Sequence, residues 1–583
     1  MPLPADALRV SDILDQTARA YGDQPAMKVK RDGLWSVTTW REYRDQARAV
    51  AKGLMHLGLQ PGQGVSIIGY NQPAWFLADI GAILAGGIPA GIYTTNTAEQ
   101  CAYITGHCEA AIAVVENATH LAKFKAVWGE LPHLKHIVLM HGSDTDERVV
   151  SWDKLLELGA AVADADLDGR IAAQKPDDVC TLIYTSGTTG NPKAVMITHD
   201  NITWTAKSAL TALDVRVGDN TISYLPLSHI AEQVVSLHGP MMLGGCVWFA
   251  ESIDKLGDNL REVRPHYFLG VPRVWEKIQA KMQAAGAANP PLRKKIAAWA
   301  RGVGLKGGYA KQRNEALPWN WGIADKIVFS KVREKLGLDR CRLQVTSAAP
   351  ISKDTLEFFL SLGIIIHEVY GMSECTGPAT VSTHAVWETA KAGFVLPGAE
   401  IKIDPKDGEI CMRGRHIFKG YYKNQEATDE ALDADGWLHS GDVGVVDARG
   451  LLKITDRKKD LLITAGGENI APQVLEGLLK GINVVGQAVV VGDRMKYLAA
   501  LLTLDTEKVP NAVAASTDPA MLADLQREID KVNEGLAQVQ KIKKWIVIPA
   551  EFTIEGGELT PTMKVKRKVV NTEYADQIAG LYS

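Results

Sequence analysis

The sequence predicts an α/β protein with a large N-terminal domain of layered αβ sheets and a smaller α+β C-terminal domain. Two observations carry this. Through most of the chain, short apolar runs alternate with amphipathic stretches, the pattern of strands and helices in a largely parallel layered sheet. After about residue 400 the texture changes to closely spaced strands and turns. At 583 residues the chain also exceeds what one hydrophobic core organises.

In chain order, "GVSIIGY" reads as a buried strand before a helix-like "QPAWFLADIGAILAGG", and "AAIAVVE" as a strand before "NATHLAKFKAVWGEL". "HIVLMHG", "CTLIYT", "GCVWFAE", "HYFLGVP" and "LGIIIHEVYG" read as further buried strands. Later, "AEIKIDPKDGEICMRGRHIFKGYY" reads as short antiparallel strands turning at Asp407-Gly408. The basic cluster "DRKKD" follows the apparent strand "GLLKIT" and marks the domain boundary, giving domains 1–456 and 457–583. Beyond it come a helix ("APQVLEGLLKGI"), a strand ("GQAVVVGD"), a long amphipathic helix and a basic tail.

Bulk properties exclude several classes. A net charge of −4, from 64 basic and 68 acidic residues, argues against a dedicated nucleic-acid binder. The seven cysteines form no CxxC pair, so neither a disulfide framework nor a zinc site is expected. The start lacks a basic segment followed by an apolar one, and the most apolar stretch, "ADIGAILAGGIPAGIY", is short and broken by glycines and Pro89. A cytoplasmic protein without an integral membrane segment is expected.

One stretch stands out chemically. In "YTSGTTGNPKAVMITH", Thr185, Ser186, Thr188 and Thr189 supply hydroxyls among Gly187 and Gly190, and Lys193 follows. Too polar and glycine-rich for a strand, it reads as a loop at a strand's carboxyl end, where α/β folds gather their sites. Glycines let backbone N–H groups turn toward an anion, hydroxyls add donors and a lysine balances charge. The spacing is not that of a Walker loop, since Asn191-Pro192 separates Gly190 from Lys193. An ordinary polar loop remains the alternative on these residues alone.

Further along lie "YLPLSHIAEQ", "VTSAAP", "EVYGMSE", "GWLHSGDVG", "DRKKDLLITAGGENIAP" and "ELTPTMKVKRKVV". With the loop, and in this order, they resemble the signature segments of the adenylate-forming superfamily of acyl-CoA synthetases, adenylation domains and luciferases. "GVPRVWEKI", "ITAGGENIAP" and "LTPTMKVKR" look most like long-chain fatty acid–CoA ligases of the bubblegum type. The resemblance implies that the small domain is mobile, rotating about a hinge at Lys459.

It also implies a site. His229 would stand beside the acyl carboxylate, and Ala348 in the loop that passes the adenosine. Glu368, Val369, Tyr370 and Gly371 would flank adenine, while Ser373 would reach the α-phosphate. Glu374, with Thr185, would hold Mg2+, whose preference is for hard oxygen ligands. Asp442 would take the ribose hydroxyls, and Arg457 the ribose or phosphate. Lys564 would be the catalytic lysine reaching over from the small domain. Without the resemblance, "RKK" and "KVKRK" read as exposed basic patches and Glu374 as a surface charge. Three positions depart from the family pattern: Ala194 and Ser347 for glycine, and Ser373 for threonine.

The activity implied is ATP-dependent fatty acid activation through an acyl-AMP, then transfer to coenzyme A. Loading of a carrier protein and a catalytically silent nucleotide-binding scaffold are the alternatives. Homodimer formation stays open. Apolar and basic residues in "LRKKIAAWARGVGLKGGYAK" could border an acyl tunnel, pack a helical layer, or approach CoA phosphates or, peripherally, a membrane surface.

Overall fold

The computed structural model describes residues 6–185, 191–465, 468–560 and 564–583. Its backbone is an eight-stranded sheet in the order Gly420–Tyr421, Lys193–Thr198, Val179–Thr185, Ile88–Ile92, Gly64–Ile68, Ile112–Val115, His136–Leu139 and Val149–Ser151. From Val179–Thr185 to Val149–Ser151 neighbouring strands run parallel, while Lys193–Thr198 and Gly420–Tyr421 pair antiparallel at one edge. The short strands are buried on both faces, as a parallel sheet covered by helices requires. Ile112 and Val114 join one core with Trp75 and Phe76, whereas Ala113 and Val115 join the opposite core with Phe124 and Tyr184.

One sequence expectation is corrected here. Only part of "YTSGTTGNPKAVMITH" is loop: Lys193–Thr198 is a strand that pairs back on Val179–Thr185. Ala194, Val195, Ile197 and Thr198 are buried along it, which offsets the polar start. Ala194 therefore lies in strand, its methyl packed in the core with Leu182 and Tyr184, and not in the turn of the loop.

Three further sheets complete the larger body. A five-stranded sheet runs Tyr267–Leu269, Leu343–Thr346, Ile366–Met372, Gly377–Val381 and Phe394–Val395. A second brings together Asn220–Ser223, Cys246–Phe249, Pro25–Arg31 and Leu34–Thr39. An antiparallel sheet of Glu400–Ile403, Glu409–Arg413, Leu438–Val446 and Leu452–Arg457 follows, its first turn closing at Gly408 with φ +75°.

Past Arg457 the chain turns over 458–460 and builds its own cores. Val485–Val491 and Leu498–Leu504 alternate between two clusters, one against Leu475, Leu525 and Ile529, the other against Phe552, Val570 and Leu581. The strand Ile542–Ile548 pairs parallel to Leu498–Leu504; it and that partner add to the single strand legible in sequence. Every side chain of both cores comes after the 458–460 turn. Contact with the larger body includes the Gln473 amide donating to Asp456 Oδ2 at 3.0 Å and three ion pairs: Arg273 with Glu551 at 2.6 Å, Glu276 with Lys480 at 3.2 Å, and Lys277 with Glu507 at 3.8 Å. None of the described helices is long and apolar enough to cross a membrane.

Candidate active site

The strand Ile366–Met372 organises the site. It runs parallel to Leu343–Thr346, with Thr346 opposite Glu368, so both strands deliver their ends to one edge. Just past Thr346, Ser347 Oγ donates to the Val369 carbonyl at 2.9 Å. The left-handed backbone falls one residue later, at Ala348, with φ +74°. An alanine there costs on the order of 1 kcal/mol relative to glycine. Ser347 thus has a hydrogen-bonding use, and the conformation that favours glycine sits beside it.

Tyr370 is buried, and its hydroxyl donates to Asp442 Oδ2 at 2.8 Å. Asp442 lies opposite Arg457 on the neighbouring strand, whose Nε reaches Oδ1 at 3.2 Å. Burial and the adjacent Asp442 charge push the Tyr370 phenol well above its usual value. Both Asp442 oxygens are thereby aimed and held, as an acceptor of paired hydroxyls requires. The strand bulges between Tyr370 and Gly371 where it pairs with Gly377–Val381. A β-carbon at Gly371 would lie 1.8 Å from the Gly377 carbonyl oxygen, so only glycine lets the two chains approach.

Ser373 and Glu374, both buried, open the single turn Ser373–Cys375. The Glu374 carbonyl accepts from the Phe418 amide at 2.9 Å, and its carboxylate accepts from the Tyr421 hydroxyl at 2.8 Å. Lys193 Nζ sits 4.9 Å from the centre of the Tyr421 ring, a cation–π contact. Tyr421, which sequence reasoning missed, therefore joins the lysine of the phosphate-type loop to the acidic residue. Its signal was the "GYY" triplet, which reads as sheet edge until pairing of Tyr421 with Val195 brings it beside Lys193. Thr185 stands opposite Lys193, its hydroxyl donating to the Lys193 carbonyl at 3.4 Å. Ser186, Gly187, Thr188, Thr189 and Gly190 lie outside the described residues.

A buried carboxylate whose one hydrogen-bond donor among the described residues is a neutral phenol suits a hard divalent cation such as Mg2+. Thr185 offers a second oxygen of the right kind, at the end of the strand that pairs with Lys193–Thr198.

His229 caps the short helix Ile230–Glu232, with Nδ1 accepting from the Ala231 amide at 3.1 Å. That assigns the ring proton to Nε2. Burial, reinforced by the Lys564 charge, pushes the imidazole down to about 3, so it stays neutral and can donate without carrying charge.

Lys564 arrives from the C-terminal body, half-buried, with its amide donating to Thr560 Oγ1 at 3.0 Å. Burial chiefly, and then the Arg457 charge, lower its ammonium to about 8; Asp442 and Glu374 act the other way. The charges of Arg457, Asp442 and Glu374 thus act on Lys564, and that of Lys564 acts on His229. The half-buried Glu368 is raised to about 8 by burial, against the opposing pull of the Ala390 and Lys391 amides. Lys459 is exposed in the turn after Arg457 and takes no part in the cluster, while Lys458 beside it bridges Asp407 at 2.6 Å and Glu409 at 2.9 Å.

The AMP-binding enzyme model matches residues 14–422, and the AMP-binding enzyme C-terminal domain model matches residues 459–583. The chain is 44% identical to the long-chain-fatty-acid–CoA ligase ACSBG2 of Xenopus laevis, over 98% of this chain and 83% of that one. It is 38% identical to human ACSBG2, over 99% of this chain and 92% of that one. Among solved structures it resembles the anthranilate CoA ligase AuaEII in complex with anthranoyl-AMP, with a TM-score of 0.77 and 20% identity over 100% and 99% of the two chains. The adenylation domain of carboxylic acid reductase from Segniliparus rugosus, in complex with AMP and a co-purified carboxylic acid, gives 0.78 and 22% over 99% and 94%.

Proposed function

This chain belongs to the AMP-binding enzyme family, and we propose that within it the protein is an ATP-dependent long-chain fatty acid–CoA ligase. A carboxylate oxygen of the fatty acid attacks the α-phosphorus of ATP, pyrophosphate leaves, and an acyl-AMP forms. The thiol of coenzyme A then attacks the acyl carbon, its proton is released, and AMP leaves. Relatives of this activity that align with nearly the whole chain support the reading.

The observation that carries it at the site is the convergence of Lys564 on Glu374, Asp442 and Arg457. Anionic oxygens approach one another in the first step, so positive charge must be in place beforehand. Lys564 supplies it at the α-phosphate, and Lys193 at the leaving pyrophosphate. His229 donates Nε2–H to the acyl carboxylate and adds no charge that would pair with it statically. Asp442 receives the ribose hydroxyls, with Tyr370 and Arg457 fixing its carboxylate, and Glu368, Val369 and Gly371 border the adenine. Glu374 and Thr185 would hold Mg2+, which when bound would neutralise triphosphate charge. Ser373 keeps the hydroxyl that the α-phosphate needs.

In the second step Lys564 must give way to coenzyme A. The body that follows Arg457 rotates about Lys459, in the exposed turn over 458–460, where a backbone change disturbs no core. The setting is cytoplasmic, and any membrane contact is peripheral.

The test is steady-state formation of AMP and acyl-CoA with short, medium, long and aryl acids. CoA-dependent product with long-chain acids is expected. AMP release with no acyl-CoA would favour transfer to a carrier protein, and background turnover throughout would favour a silent scaffold.

A further inference from the structure

Away from the site, residues 291–336 form a helical hairpin with an unusual surface. Its first arm is the helix Pro291–Gln312, about 33 Å long. Its second runs through Trp321–Ala324, the π-helical turn Asp325–Phe329 and Ser330–Leu336. Ala300 and Val303 pack on Ala324 and Phe329 to make a small core of its own. The hairpin is seated closely on the body: a β-carbon at Gly304 would lie 2.0 Å from the Ser361 carbonyl, and one at Gly308 2.4 Å from Leu360. It therefore rides on the helix Lys353–Leu360, which leads into the site strand Ile366–Met372.

Seven of the twenty exposed large hydrophobic side chains among the described residues fall in this one segment. Leu292, Ile296 and Trp299 recur at four and three residues, on one stripe of the first helix, and Ile323 and Ile327 do the same on the second arm. Trp319, in the turn between the arms, is 88% exposed. Soluble surfaces rarely leave such residues together without a partner.

Charge identifies the partner. Residues 291–336 hold eleven basic and three acidic residues, in a chain whose net charge is −4. Of those eleven, only Arg313 and Arg333 are held in ion pairs among the described residues, by Glu315 and Asp325. Arg293, Lys294, Lys295, Lys326 and Lys331 are exposed. Exposed Trp, Leu and Ile interleaved with uncommitted Lys and Arg along a hairpin match an interfacial element, apolar groups entering the acyl boundary and ammonium groups meeting anionic headgroups.

We propose that the 291–336 hairpin docks this protein, peripherally and reversibly, on an anionic lipid bilayer. No catalytic residue is involved, so the proposal stands or falls apart from the ligase reading.

Sedimentation of the full chain with vesicles tests it, using phosphatidylcholine alone or with phosphatidylserine added. The protein is expected to pellet with phosphatidylserine vesicles and to be released at high salt. L317S/W319S is expected to lower partitioning about tenfold or more. K326E/K331E is expected to abolish the preference for the anionic vesicles. Both variants should keep wild-type ligation of a water-soluble acid, which shows that they fold. A wild-type protein that stays in the supernatant with both vesicle types would overturn the proposal, as would undiminished binding by both variants. So would a dimer dispersed by L317S/W319S in the absence of vesicle binding, because the patch would then cover itself with a second copy.

Discussion

The two sides of the candidate site are held in different ways. On the larger body, Tyr370, Asp442 and Arg457 sit on paired strands, joined by a hydrogen bond of 2.8 Å and an ion pair of 3.2 Å. That wall is fixed by sheet register and by a bulge at which only Gly371 fits. Lys564 belongs to a body with separate cores, joined to the larger one by exposed turn and ion pairs. One side is built with the fold, and the other is positioned by a contact that can be broken. For the reaction proposed, the difference teaches how a single site would serve two steps: the permanent wall would recognise the nucleotide, and the removable group would supply charge to only one of them.

Removing the Lys564 ammonium should have the largest effect. Lys564→Ala is expected to slow acyl-AMP formation about 10²- to 10³-fold, by loss of a preorganised charge in the transition state. Thioester formation from supplied acyl-AMP should stay near wild type; loss of both half-reactions would show that the lysine is structural. The same group predicts a pH dependence. Its protonated form acts and its pKa is lowered to about 8, so adenylation kcat/KM should be level below that pH and fall as pH rises through it. That limb should vanish in Lys564→Ala. His229, already neutral, should contribute no limb between pH 5 and 8.

Weakening the contact between the bodies should have a smaller effect. Arg273→Gln breaks the 2.6 Å pair with Glu551 and biases the molecule away from the arrangement described. A decrease of about two- to fivefold in adenylation, with thioester formation unchanged or faster, is expected for a pair of this kind. Equal loss in the two half-reactions would mean that the contact supports stability and not the choice of arrangement.

Much of the permanent wall was legible in the sequence, because its residues lie in short segments whose period and flanking residues carry them. "LGIIIHEVYG" announces a buried strand, and Glu368, Tyr370 and Glu374 were picked out by the resemblance of "EVYGMSE" to the family's segment. Tyr421 was not legible. Its place depends on an antiparallel pairing between segments more than 200 residues apart, Gly420–Tyr421 and Lys193–Thr198, which no local pattern records. The strand beginning at Lys193 was obscured for a related reason: the polar residues that precede it and Lys193 itself hide a buried run that becomes visible only in register with Val179–Thr185. The ionic contacts of Arg273 and Glu276 with the C-terminal body were also silent, since charged residues on a helix read as a solvated face until something packs on them.

The most direct measurement compares the two half-reactions in Lys459→Pro. A proline in the turn after Arg457 restricts the backbone where rotation would be absorbed, without touching either the permanent wall or Lys564. Acyl-AMP formation close to wild type with thioester formation strongly reduced is the result predicted. Equal loss of both half-reactions, or unimpaired thioester formation, would contradict a site that works by withdrawing Lys564.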